Sequence, residues 1–197
     1  MPRPTDAILL AAFPPELCGL DATPPPGWRA ACVGIGAVTA AVATARLLSE
    51  RPAGRVLFVG TCGAYDTRLA PGDLLAAGEA IATSLEEREG RAYRPAAERI
   101  RWAASWALPA RFALHAVAVP PAITSTVAGA AALATLAAVE HLELTGVFAA
   151  CAELGVPVAA ALGVANRVGP EAHADWRARH EAVSRALIEA LRKERVL

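Results

Sequence analysis

From Val156 to Ala165 the chain reads Val-Pro-Val-Ala-Ala-Ala-Leu-Gly-Val-Ala, with no polar residue alternating with the apolar ones. A run without alternation suits a strand buried on both faces, as at the centre of an α/β sheet. Gly155 and Pro157 stop the segment before it, where Val147, Phe148, Cys151 and Leu154 recur at helical spacing and predict a helix from Glu143 to Leu154. Glu143 therefore starts a helix, and Asn166 closes the C-terminal end of the next strand. Ligands of open α/β sheets bind at that edge. A carboxylate there can accept from a sugar diol, and a carboxamide can both donate to and accept from the edge of a heterocycle.

Other segments predict the same architecture. Ala7–Phe13 reads as a buried strand stopped by Pro14 and Pro15, with Glu16 directly after it. Trp28–Gly34 is a second strand, and Gly34-Ile35-Gly36 turns into an alanine-rich helix from Ala37 to Glu50. That GxG lacks a third glycine, because Thr39 stands in its place, and no acidic residue closes a strand about twenty residues on, so it reads as a tight turn and not a dinucleotide fingerprint. Arg55–Gly60 is a third strand, followed by a small-residue turn, Thr61-Cys62-Gly63-Ala64-Tyr65-Asp66, whose backbone a ligand can approach. Leu74–Ala82 and Arg111–Val119 are further strands. Between them, Glu86–Arg101 predicts a charged surface loop leading to a short helix near Trp102 and Trp106. Ser125-Thr126 falls in a polar turn, Gly129–Ala138 in a small-residue helix, and Asp175–Val196 in an amphipathic helix with Trp176, His180, Val183, Leu187 and Leu191 on one side. Strands alternating with helices predict an α/β three-layer fold, a central mixed β-sheet flanked by helices, as a single domain over residues 1–197.

Composition excludes several classes. The chain is 55% apolar with mean hydropathy +0.37, but alanine inflates both figures, and the longest apolar stretch, Val147–Ala165, is broken by Glu153 and Pro157. No membrane span or signal peptide is therefore expected, and the expected location is cytoplasmic. A net charge of +0 without a basic stripe argues against a nucleic-acid partner. Cys18, Cys32, Cys62 and Cys151 form no CxxC pair and read as buried free thiols; Cys62 has no histidine nearby in sequence to activate it. His141 and Glu143, two apart, would face different ways on a helix, so no metal site is predicted, and His141, His173 and His180 read as surface or partly packed residues. Glu140 reads as a first-turn helix charge, as Glu16 and Glu143 do when each is taken alone.

Several segments together resemble one family. Val33-Gly34-Ile35-Gly36, Val59-Gly60-Thr61-Cys62-Gly63-Ala64, Pro71-Gly72-Asp73, the Glu143 segment, Gly155-Val156-Pro157 and the strand ending in Asn166 follow the order seen in the purine nucleoside phosphorylase and nucleosidase superfamily. Phe13-Pro14-Pro15-Glu16-Leu17, Ser125-Thr126-Val127-Ala128-Gly129 and Asn166-Arg167-Val168-Gly169-Pro170 followed by Trp176 are most similar to its futalosine hydrolase branch. The resemblance implies cleavage of a nucleoside's N-glycosidic bond without metal or organic cofactor, in a homo-oligomeric enzyme of menaquinone synthesis. It places Glu16 where a carboxylate activates water, Glu143 where the ribose hydroxyls are held, and Asn166 where the purine is handled. Thr61, Cys62, Gly63 and Leu142 then line the substrate.

Two residue-level features bear on the substrate. Asparagine cannot deliver a proton, but it can donate to an oxygen and accept from a ring N–H, which favours a 6-oxopurine such as hypoxanthine. Bacterial phosphorylases of the superfamily carry an arginine just before the glycine segment, where this chain has Phe58-Val59-Gly60-Thr61, so the resemblance implies water as nucleophile in place of phosphate. The family's Met-Glu-Gly is Leu142-Glu143-Leu144 here, the strand before Asn166 carries Leu162 in place of arginine, and Glu171 follows Gly-Pro. The alternatives are a phosphate-dependent phosphorylase and a catalytically silent nucleoside-binding protein.

Overall fold

The computed structural model describes residues 6–20, 23–65, 67–96 and 98–197; Asp66, the last residue of the predicted small-residue turn, lies outside them. The strands are β1 (Ala7–Ala11), β2 (Trp28–Cys32), β3 (Arg55–Ala64), β4 (Leu74–Ala82), β5 (Arg101–Ala103), β6 (Ala113–Val119), β7 (Val139–Glu140) and β8 (Val158–Arg167). The helices are α1 (Ala37–Glu50), α2 (Leu85–Arg88), α3 (Val127–Ala134), α4 (Leu144–Glu153) and α5 (Ala172–Lys193), with a short 3-10 turn at Pro14–Leu17.

The strands form one mixed sheet in the order β2-β1-β3-β7-β6-β4-β5, and β8 pairs with both β3 and β4. The path from β3 through β7, β6, β4 and β8 returns to β3, so part of the sheet closes on itself. The uninterrupted apolar run is β8, parallel to β3 and antiparallel to β4. Its side chains go alternately to two cores. Val158, Ala160, Leu162 and Val164 pack with Leu144, Val147 and Phe148 of α4 and with α1, whereas Ala159 and Ala161 pack with Leu187, Ile188 and Leu191 of α5. Burial on both faces explains the lack of polar alternation in that segment. Where α1 meets α4 the two helices approach closely: a Cβ on Gly146 would stand 1.9 Å from the Ala37 carbonyl oxygen.

Three predicted elements differ. The Thr61–Ala64 segment is not a turn, because β3 continues to Ala64, paired with β8 on one side and β7 on the other. Small residues that could have turned instead fit a crowded parallel ladder. The helix near Trp102 and Trp106 is absent. Trp102 sits in β5, antiparallel to β4, and Trp106 donates its indole N–H to the Val56 carbonyl at 3.2 Å. Finally, β7 has two residues, too few to show a period, and it carries Glu140 into the sheet instead of onto a helix.

Candidate active site

β1 ends at Ala11, and the 3-10 turn that its prolines nucleate points Glu16 back toward the sheet. The Glu16 side chain is buried, and each of its oxygens is held. Oε2 accepts the Ala12 N–H at 3.0 Å, while Oε1 accepts the Thr61 N–H at 2.8 Å and the Thr61 hydroxyl at 3.0 Å. The Trp176 indole N–H on α5 donates in turn to the Thr61 Oγ1 at 3.1 Å. Burial pushes the Glu16 carboxyl from 4.5 up to about 7; the nearby Glu143 adds to the rise, and the Thr61 and Ala12 hydrogen bonds oppose it.

Glu143 stands at the N-cap of α4, buried, with its Oε1 accepting the Gly36 N–H at 2.8 Å. Gly36 has φ +89°, a conformation that glycine adopts without strain, so the GxG turn presents a backbone donor to a carboxylate 107 residues later. His141 Nδ1 lies 3.0 Å from Glu143 Oε2 and accepts the Glu143 N–H at 3.1 Å. His141 is buried and edge-on to Phe58, not at the surface, and burial pulls its imidazole toward the neutral form while Glu143 opposes this. The two residues meet because they bridge β7 and α4 and do not sit on one helix. His173 is exposed and His180 half-buried, as the surface or partly packed reading expected; both stack on Trp176, at 6.0 and 4.2 Å between centroids.

Asn166 is the penultimate residue of β8. The pairing of β3 with β8 shifts register between Cys62 and Gly63, so that Ala165 is passed over and Gly63 faces Asn166. An irregularity of this kind re-aims a side chain at a sheet edge. The Asn166 amide donates to the Arg167 carbonyl at 2.9 Å, which leaves one N–H and the carboxamide oxygen free of that bond. Glu140, missed in the sequence, is also buried: Tyr65 donates its hydroxyl to Oε2 at 2.6 Å and Thr124 its N–H to Oε1 at 3.2 Å. Burial raises the Glu140 carboxyl, against those two donors. A glutamate opening a predicted helix is commonplace, and only its position directly before His141-Leu142-Glu143 could have hinted at more.

A cavity of about 270 Å³ joins these groups. Glu16, Thr61, Cys62, Gly63, Leu142, Glu143 and Asn166 all line it, together with Glu140, His141, His173 and Trp176. Among the described residues, no lysine or arginine lines it. Cys62 is buried and burial pushes its thiol far up, which makes it a small apolar filler; Cys151 is also buried, whereas Cys18 is half-buried and Cys32, against expectation, is exposed.

Glu16, Glu143 and Asn166 thus share one cavity of a partly closed mixed sheet. The phosphorylase superfamily profile matches residues 29–193, and the chain belongs to that superfamily. It is 33% identical over 171 residues to a futalosine hydrolase of Streptomyces coelicolor, spanning 78% of this chain and 73% of the other. Within the superfamily it is a futalosine hydrolase-like enzyme. Its fold matches the native futalosine hydrolase of Helicobacter pylori strain 26695, at TM-score 0.81 and 18% identity over 98% of each chain. It also matches a 5'-methylthioadenosine/S-adenosylhomocysteine nucleosidase of Helicobacter pylori in complex with butyl-thio-DADMe-Immucillin-A, at TM-score 0.82 and 17% identity over 98% of each chain.

Proposed function

We propose that this enzyme is a nucleosidase that hydrolyses the N-glycosidic bond of futalosine, or a related 6-oxopurine nucleoside, releasing hypoxanthine in menaquinone biosynthesis in the cytoplasm. The observation that carries the reading is Glu16: a buried carboxyl poised near pH 7, both oxygens fixed, in a cavity that Glu140 and Glu143 also line, with no lysine or arginine among its described residues. Such a cavity suits neutral water, and its carboxyls disfavour a phosphate dianion.

In this mechanism Glu143 accepts from the ribose hydroxyls, with the Gly36 N–H holding its Oε1 and His141 Nδ1 accepting its backbone N–H. Ionised Glu16 takes a proton from the attacking water as the C1'–N9 bond breaks, and the water oxygen bonds to C1'. Positive charge that builds on the sugar is stabilised by the surrounding carboxylates, and Asn166 donates to the purine oxygen that gathers the departing electron pair. Exposed Ile35 and Ile123 at the cavity, with exposed Val38 and Val42 along α1, support assembly of this face against a second copy of the chain.

Base release from futalosine, inosine and 5'-methylthioadenosine, each with and without phosphate, tests the reading. Phosphate-independent hypoxanthine release that Glu16→Gln abolishes is the expected result. Strict phosphate dependence would select a phosphorylase, and adenine release alone would select a methylthioadenosine-type nucleosidase. Calorimetric nucleoside binding without turnover would select a silent binding protein.

A further inference from the structure

We infer that His141 is a positioning residue that serves two carboxyls at once: its Nδ1 fixes Glu143, and the proton on its Nε2, turned to Glu16 across Gly60, favours the ionised form of the base. The roles of the two carboxyls are those of the proposed nucleosidase, on which this inference rests.

β7 ends at Glu140 and Glu143 caps α4, so His141 stands in the short bridge from sheet to helix. There the backbone N–H of Glu143 comes to 3.1 Å from His141 Nδ1. A backbone N–H can only donate, so Nδ1 must present its lone pair. Burial pulls the ring toward its neutral form, although Glu143 opposes this, and a neutral imidazole with a bare Nδ1 carries its proton on Nε2. Phe58 stands edge-on at 5.2 Å and 89° and holds the plane of the ring. The same Nδ1 lies 3.0 Å from Glu143 Oε2, acceptor against acceptor. Oε2 therefore gains nothing from the ring and is left to take a donor from the cavity, such as a sugar hydroxyl.

The other ring nitrogen lies over Gly60 of β3. A Cβ there would stand 3.0 Å from His141 Nε2 and 3.2 Å from Glu16 Oε1, so any side chain at this position would come between the two. An N–H dipole with its positive end toward a carboxyl favours the ionised form. The other titratable groups acting on or near Glu16 are Glu143 from α4, Cys62 from β3 and Cys32 from β2. Glu143 opposes ionisation of Glu16, and both thiols are pushed up by burial and stay neutral. Among these groups His141 alone turns a positive end to the base.

Two substitutions separate the two nitrogens. His141→Asn keeps an acceptor near the place of Nδ1 and removes the Nε2 proton, whereas His141→Gln keeps an N–H near the place of Nε2 and removes the acceptor. Steady-state kinetics of the full chain with futalosine and inosine across the pH range, with thermal unfolding as the folding control, read the outcome. His141→Asn is expected to leave KM in place and to move the midpoint of the kcat/KM profile upward by about half a pH unit. His141→Gln is expected to leave the midpoint in place and to raise KM about fivefold, the size of one hydrogen bond. Two readouts need no turnover. Nitrogen NMR of protein labelled at its four histidines should show Nε2 protonated and Nδ1 bare for the signal that His141→Asn removes. Carbon NMR of the Glu16 carboxyl should show the same upward shift in that variant.

A protonated Nδ1 in the wild type overturns the inference. So do variants that change KM and the midpoint together, or that change neither, since a buried filler would behave in that way. If neither variant folds, the wild-type nitrogen signals decide. A protein that cleaves no nucleoside, yet shows the bare Nδ1 and the shifted Glu16 carboxyl, overturns the proposed hydrolysis and leaves the role of His141 standing.

Discussion

Thr61 and Glu16, 45 residues apart in sequence, share a double contact in which one carboxylate oxygen receives both the backbone N–H and the hydroxyl of the same threonine. Both bonds favour the ionised carboxylate, and burial favours the protonated one. With burial the larger effect, the group rests near pH 7, where a small change in either direction alters the fraction able to act as base.

The pH dependence of hydrolysis follows from that balance. Glu16 must be ionised to take a proton from water, so kcat/KM should climb tenfold per pH unit below about 7 and level above it. A pH-rate profile with futalosine or inosine checks this. A rate already at its plateau at pH 5.5 would remove Glu16 as the base.

Stability should run the other way. The folded value of about 7 lies above the unfolded value near 4.5, so the folded chain holds a proton that the unfolded chain has released between those pH values. Stability from this group is complete below about 4.5, falls as pH rises through the window, and is flat above about 7. Its full size is roughly 3 kcal/mol at about 1.4 kcal/mol per unit. Glu16→Gln removes the titrating group, so urea unfolding at pH 5 and pH 8 should show a smaller loss for the variant than for wild type. The same variant should lose 10²-fold or more in kcat, the ordinary scale for a general base.

Trp176→Phe isolates the outer link of the chain from Trp176 through Thr61 to Glu16. The indole N–H occupies a lone pair of Thr61 Oγ1 and so directs the hydroxyl proton toward Glu16. Without it the hydroxyl is free to turn away, the ionised carboxylate loses part of its support, and the midpoint of the pH-rate profile should move upward by a few tenths of a unit. The plateau rate should fall less than tenfold. A lowered plateau with an unmoved midpoint would make Trp176 a wall of the cavity and nothing more.

Gly146→Ala tests how the frame carries the site. A methyl group there would meet the Ala37 carbonyl at 1.9 Å, backbone against helix, with no flexible side chain to give way. The expected cost is roughly 3 kcal/mol, at the upper end for overpacking. Since α1 begins one residue after Gly36, which donates to Glu143, separating α1 from α4 should also raise KM. Thermal unfolding and steady-state kinetics on the same sample measure the two effects together.

The legible part of this molecule was the part written in long periods. The β8 run, α1, β4 and the amphipathic α5 each extend far enough for burial on two faces, or on one, to leave a pattern, and with β1 and α4 they put Glu16, Glu143 and Asn166 at or near element ends. What stayed hidden depends on contacts between distant segments. Thr61–Ala64 is a strand only because β7 and β8 lie on either side of it, and β7 is two residues long. Glu140 and His141 were read with helical geometry, and that error concealed both their burial and the contact between His141 and Glu143. The passed-over Ala165, which turns Asn166 toward Gly63, leaves no mark in the sequence.

Asn166→Asp addresses the choice of leaving group. The carboxamide sits buried beside Glu140 and over Gly63, and as a neutral group it can steady a purine oxygen but cannot protonate a ring nitrogen. An aspartate there enters a site that already holds the buried carboxyls of Glu140 and Glu143, so desolvation and like charge should hold it protonated near neutral pH. A protonated carboxyl can donate to N7 of adenine, which leaves poorly without that proton. The variant should therefore gain adenine release from 5'-methylthioadenosine, by tenfold or more, and lose hypoxanthine release, for which the proposed reading pairs Asn166 with the 6-oxo group. Paired assays of both substrates across pH 5 to 8 decide it. The gain should fade as pH rises and the new carboxyl ionises, whereas a gain independent of pH would mean that the substitution had only reshaped the cavity.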